Sequence, residues 1–333
     1  MNKRLKQIIQ VSVSLALAGW IFWFLYKDIA LEELLVQIRS SNWFWIGFSL
    51  AISLLGFWIR GWRWTLLIRE DEGKKVSSGD AYHAVMAGYL ANLVVPRAGE
   101  VARCGVLVRT NGVSMGHLIG TVILERSIDL LFLVGTIFLA FVVERELFLN
   151  LAGQLVDLDS LGAKLIDNLP LFLTIALILV VFFWIVFRRF RQHSLIQKIQ
   201  QFTRELIGGI KRIGELDNPA GFWLSSVFIW IIYFLTMYTV SLGIQSTANL
   251  SLGEVLLVMV MGSIGMVAPV QGGIGTFHAL VAFILIQFGV AEEDGKIFAA
   301  IIHGTQVLLI LVGGLVSWAI VMKKAAWIKP AKP

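Results

Sequence analysis

Two stretches of this chain put charge and broken backbone where apolar sequence would otherwise run on. The first is Asn92-Leu-Val-Val-Pro96-Arg97-Ala-Gly99-Glu100-Val-Ala-Arg103, followed by Glu125-Arg126-Ser-Ile-Asp129 inside the next apolar run. Arg97, Glu100 and Arg103 recur every third residue, so a helix beginning after Pro96 stacks them along one face. Glu100 can pair with either arginine, leaving about one net positive charge. An arginine fork that is not fully neutralised suits phosphate, which it holds through two parallel N–H···O bonds. Arg109 adds a cation near the surface, where snorkelling is its alternative role. Asn92 is placed to satisfy the carbonyls that Pro96 frees.

Glu125, Arg126 and Asp129 share one side of their helix, because Asp129 lies three residues from Arg126 and four from Glu125. If the crossing starts near His117, they sit roughly 12–18 Å deep, close to a bilayer centre. Insertion costs about 2.5–3.5 kcal/mol for each such group at mid-membrane, so this side must face protein or a wet cavity. Two readings follow: an ion-pair network that locks helices together, or the wall of a path for a polar lipid or ion.

The second stretch, Ala268-Pro269-Val-Gln271-Gly272-Gly273-Ile-Gly275, has glycines where the first has charges. Gly272, Gly273 and Gly275 permit positive φ and close backbone approach. A helix starting near Thr276 would point bare N–H groups at the midplane and attract anions. His278 in its first turn could titrate or donate to phosphate, or be a satisfied buried histidine. His83, His117 and His303 stand isolated, so neither a metal site nor a cofactor is expected. Cys104 is the single cysteine, which excludes an intramolecular disulfide.

The elements that must position these residues are membrane helices. The chain is 57% hydrophobic and 15% charged, with a mean hydropathy of +0.80. Full crossings are expected near 7–26, 43–68, 117–143, 169–188, 220–243 and 297–322. Regions 80–112 and 252–290 each read as two shorter helices joined at a break, giving an all-α polytopic membrane protein with two re-entrant hairpins. The first run reads as a retained helix, having no small-residue cleavage site after it. Residues 191–213 read as an amphipathic helix on an anionic leaflet. Trp58, Trp62 and Trp64, beside Arg60 and Arg63, read as interfacial anchors.

Of 28 Lys and Arg, 22 fall in segments that would face one side, which explains the net charge of +6 without nucleic acid and puts both termini in the cytoplasm. A shift of about 174 residues aligns the two breaks: Ser77-Ser-Gly79-Asp80 with Ser251-Leu-Gly253-Glu254, Gly88 with Gly262, and Gly99 with Gly273. Each half then holds three crossings and one hairpin, so the whole chain reads as one transmembrane domain of inverted halves, about 1–150 and 160–333. Gly-x-x-x-x-Gly-Lys-Ser/Thr and Gly-x-Ser-x-Gly are absent, and no soluble stretch is long enough for a catalytic domain, so the chain does not read as an enzyme.

Taken together, Asn92-x-x-x-Pro96-x-x-Gly99-Glu100, Glu125-Arg126-x-x-Asp129 and Pro269-x-x-Gly272-Gly273-x-Gly275 resemble the transmembrane region of lysylphosphatidylglycerol synthases and flippases, whose free-standing versions are called flippase-like or UPF0104 proteins. The resemblance covers nearly the whole chain. It implies a bacterial plasma-membrane protein whose polar cavity moves or handles the head group of an anionic phospholipid or polyprenyl phosphate. On that reading Arg97, Arg103 and Arg126 hold phosphate, while Glu100, Glu125 and Asp129 balance charge or take a proton. Two other readings remain open: an accessory subunit for a separate glycosyl- or aminoacyl-transferase, and an ion-coupled small-solute transporter. The family often has a second proline before the glycines and a glutamate after them, where this chain has Gln271 and His278, so a preference for cationic aminoacylated lipid is not carried over. The synthase's soluble transfer domain has no counterpart in these residues, and synthase activity is not carried over either. Oligomeric state is not legible.

Overall fold

Sequence punctuation accounts for where the helices begin. In α2 (Trp43–Leu67) the Asn42 side chain accepts the Phe44 N–H at 3.1 Å. In α6 (Pro219–Gly243) Asn218 accepts the Gly221 N–H at 2.8 Å, with Pro219 at the first helical position, where a missing N–H is harmless. With α5 (Met115–Val143) and α9 (Glu292–Trp327), these are four helices long and apolar enough to cross a bilayer. They correspond to the spans expected at 43–68, 117–143, 220–243 and 297–322. The protein is an all-α, polytopic integral membrane protein. A short helix that the sequence reading did not separate, α1 (Leu31–Ser40), precedes α2.

The computed structural model describes residues 31–68, 75–95, 98–147, 208–268 and 270–327, with Trp20, Trp23, Lys27 and Leu149. Pro96, Arg97 and Pro269 lie outside the described residues, as do the span at 169–188, most of that at 7–26, and residues 191–207 of the expected amphipathic helix. The chain divides into two compact units. One holds residues 1–140 and 216–333, and with them every site discussed below. In the other, Phe141–Glu215, the described residues 208–214 are helical, with Ile213 buried and Ile210 exposed.

Both broken regions are pairs of short helices. The first is α3 (Ser78–Val94) and α4 (Gly99–Asn111), and the second is α7 (Leu252–Val267) and α8 (Thr276–Gln287). Their 17, 13, 16 and 12 residues extend about 26, 20, 24 and 18 Å, all less than the roughly 30 Å hydrocarbon thickness. Both pairs start with the same device. Ser77 accepts the Asp80 N–H at 3.1 Å, and Ser251 forms a reciprocal box with Glu254, at 3.2 and 2.7 Å.

Glycines set how closely each pair packs. A Cβ on Gly88 would meet the Gly99 carbonyl at 2.7 Å, and one on Gly99 would meet the Gly88 carbonyl at 2.5 Å. Gly265 approaches the Phe277 backbone in the same way, at 2.7 Å. Without a hydrophobic drive between helices in lipid, such small-residue contacts are what bring backbones together.

The hairpins meet opposite ends of α9. Lys324 Nζ, in its last turn, pairs with Asp80 at 2.5 Å, and Asn111 donates to the same carboxylate at 3.1 Å, joining the base of the first hairpin to the C-terminal end of α9. The second hairpin instead runs through the turn at Phe288–Gly289 into the N-terminal end of α9, where Gln37 of α1 donates to Asp294. The α9 helix packs on α3 and α8, α2 on α3 and α6, and the Gln271–Gly273 turn on α3. By contrast α5 faces lipid along most of its length, with 11% of its most apolar window buried.

Candidate functional site

Where α5 does turn inward, it brings its acids to two arginines of α2. Arg60 and Arg63 lie one turn apart, and Glu125 and Asp129 likewise, so the two helices present matching pairs. Arg60 reaches Asp129 at 2.5 Å and Glu125 at 3.3 Å. Arg63 reaches Asp129 at 2.7 Å, Glu125 at 3.2 Å and Ser226 of α6 at 3.2 Å. Arg103 of α4 closes the group on Glu125 at 3.0 Å. Glu125 and Arg63 are fully buried, and Arg60 and Arg103 nearly so. Arg60 also donates to the Tyr233 hydroxyl of α6.

This corrects the interfacial reading of Arg60, Arg63 and Trp64. Trp64 is fully buried, its indole N–H donates to Thr121 at 2.9 Å, and the Arg103 guanidinium stacks 4.5 Å from its ring centroid. The sequence signal was there in the one-turn spacing of two arginines, but a tryptophan-flanked arginine pair at a helix end reads the same as an anchor. Trp58 is 46% exposed.

Arg126 lies at the rim of the cluster, its side chain 41% exposed, between Glu100 at 3.4 Å and Asp129 at 3.3 Å. Glu100 therefore pairs with Arg126 of α5, and Arg103 with Glu125, in place of the partnership between Glu100 and Arg103 along α4. Four arginines stand against three carboxylates, leaving one net positive charge. The burial of this many ions is tolerable because Glu125 and Asp129 each take three guanidinium contacts, while Glu100 at the rim takes one.

A small cleft opens beside the cluster. It is lined by Arg60, Val85, Gly88, Tyr89, Asn92, Gly99, Glu100, Arg103 and Arg126. Asn92 takes the Gly99 N–H on its Oδ1 at 2.6 Å. That oxygen caps the start of α4 across the break, a role beyond the service to carbonyls expected of the residue. Arg103 Nε and Nη1 have no hydrogen-bond partner among the described residues, although the residue is 3% exposed. Of the expected site residues, Asn92, Gly99, Glu100, Arg103 and Arg126 line the cleft, and Glu125 and Asp129 form the ionic floor behind Arg60 and Arg103.

Among the described residues, the second break contributes none to that lining. Gly272, Gly273 and Gly275 have φ of 57°, 74° and 88°, which only glycine adopts readily. The chain thereby turns within a few residues into α8. The N–H at that helix start is not bare: His278 Nδ1 accepts it from Gly275 at 3.2 Å. His303 of α9 is not isolated either, its ring lying 4.8 Å from that of His278. Among the described residues no three His, Cys, Asp or Glu side chains gather as a metal site would need.

An all-α membrane fold with paired broken hairpins and an arginine-rich cluster beside an inward cleft defines a class of polar-cavity membrane proteins. The lysylphosphatidylglycerol synthase TM region profile matches residues 11–314, and the chain belongs to that family. It is similar to a UPF0104 membrane protein from Methanothermobacter thermautotrophicus, at 21% identity over 283 residues, covering 78% of each chain. No solved structure matches.

Proposed function

We propose that the protein is a lipid translocase that takes the phosphate of an anionic phospholipid or polyprenyl phosphate into the cleft between α3, α4 and α5. The observation that carries this reading is Arg103. It is buried in the cleft wall with two N–H donors unmatched among the described residues, beside Arg60 and Arg126 and in a cluster with a surplus positive charge. Donors left unmatched in low dielectric favour an anion strongly. Tyr89 and Val85 give the same cleft an apolar wall for the start of an acyl or prenyl chain.

The basic segments share one side in this reading, with both termini in the cytoplasm of a cell whose plasma membrane the protein spans. The contact between Lys324 and the first hairpin supports it, since the last turn of α9, Lys75 and the hairpin base come together there. The position of the two hairpin bases at opposite ends of α9 supports halves of inverted orientation.

The test is head-group transfer in reconstituted liposomes, read as the fraction of NBD-labelled lipid reached by external dithionite. Labelled phosphatidylglycerol should move faster with protein than without, labelled phosphatidylcholine should not, and Arg103→Gln should remove the difference. Equal transfer of both lipids, or undiminished transfer by a folded Arg103→Gln variant, overturns the reading.

A further inference from the structure

A file of polar side chains, buried at Ser53 and part-buried elsewhere, leads away from the arginine cluster. Arg60 donates to Tyr233, and one turn on along α6 Thr236 Oγ1 lies 3.3 Å from Ser53 Oγ of α2. The Gln306 amide of α9 donates to Ser53 at 3.0 Å. One turn earlier on α9 is His303, against His278 in the second hairpin. The two steps along a single helix, Tyr233 to Thr236 and Gln306 to His303, are i,i+3 spacings of about 5–6 Å between Cβ atoms, a gap that one bridging water can close.

The histidine pair has the chemistry of a proton station. His303 is 9% exposed, yet its Nδ1 has no hydrogen-bond partner among the described residues. His278 is 3% exposed, with Nδ1 occupied by the Gly275 N–H. Phe277 packs on both rings from α8, and the Gly272 backbone meets the His303 ring from the turn. Each ring faces the other histidine. Lys296, about two turns back on α9, is paired with Glu292 at 2.6 Å. A proton added to a ring nitrogen makes one imidazolium beside a second ring, which repels a second proton. The pair thus has room for one proton, and its release restores both neutral rings with no other reactant.

We propose that His278 and His303 form a proton-binding site at the second break, connected to the arginine cluster through Gln306, Ser53, Thr236 and Tyr233, and that proton binding there is coupled to head-group movement in the cleft. The coupling rests on the translocase reading, whereas the proton site does not.

The experiment imposes a pH difference across liposomes that hold the full chain and entrapped pyranine, while following labelled phosphatidylglycerol. With one coupled proton, one unit of pH difference shifts the inside-to-outside distribution of the probe by up to about tenfold. The His303→Gln variant should lose that dependence and the pyranine-detected proton uptake, while keeping transfer down the probe's own gradient. Gln306→Leu, which breaks the file without touching the rings, should slow proton uptake and supplies the test if the histidine variant does not fold. Probe transfer that ignores the pH difference in the unmodified protein overturns the coupling and leaves the translocase standing. Absence of any probe transfer defeats the translocase reading, and proton uptake lost in both variants then still upholds the site. Proton uptake unchanged in His303→Gln, or absent in the unmodified protein, overturns the site itself.

Discussion

Glu125 is the residue on which the cluster turns, since Arg60, Arg63 and Arg103 all converge on it from two other helices. Its removal leaves three buried guanidinium groups short of a partner. Breaking a buried ion pair from one side costs about 3–5 kcal/mol, because the other charge stays in low dielectric. Glu125→Gln should therefore lower the melting temperature of the detergent-solubilised protein clearly, as read by intrinsic fluorescence from the buried Trp64. Arg126→Gln removes a rim charge that is 41% exposed and paired with Glu100 at 3.4 Å. Such pairs contribute about 0–1 kcal/mol, so its melting temperature should hardly move. Any loss of phosphatidylglycerol transfer in that variant then reports on the anion path and not on folding. A large thermal effect at Arg126, or none at Glu125, would contradict this division between floor and rim.

At the scale of elements, the close approach of α3 to α4 and of α7 to α8 sets where the breaks sit. Gly88→Ala places a methyl group 2.7 Å from a backbone carbonyl that cannot swing aside. Overpacking of this kind costs typically 1–3 kcal/mol, so the hairpin should loosen and the cleft that Gly88 and Gly99 line should widen. Thermal unfolding checks the first effect, and faster hydrogen exchange at the amides of 99–103 checks the second. Ser251→Ala is a milder change at the other hairpin, the loss of one capping bond worth about 0.5–2 kcal/mol. It should lower stability without altering the cleft.

Across the whole molecule, the contact of Asp80 with Lys324 ties the end of α9 to the base of the first hairpin. Burial alone would raise the Asp80 carboxyl, but hydrogen bonds with Lys324, Asn111 and Ser77 outweigh it and hold the group below its ordinary value of 3.8. A carboxyl depressed in the folded state contributes stability above that ordinary value and loses it as pH falls through the folded one. The protein should thus lose part of its stability on acidification below about pH 4. Asp80→Asn should flatten that acid limb of a melting-temperature profile, and an unchanged limb would remove Asp80 as its source.

The sequence by itself determined the all-α membrane class, the two breaks and their Ser-started helices, because hydropathy, helix caps and Pro-Gly punctuation act over a few residues. It also placed Glu125 and Asp129 on an inward side, since apolar surroundings leave such groups nowhere else to go. Tertiary structure decided which arginines meet them. Arg60 and Arg63 stand more than sixty residues away, and nothing local separates a buried arginine beside tryptophan from one that anchors a helix at the interface. The same holds for Glu100 with Arg126, for Asn92 turned to the Gly99 N–H, and for His303 against His278. Each is a pairing set by which helix faces meet, and local periodicity gives the face of a residue but not the neighbour that the fold brings to it.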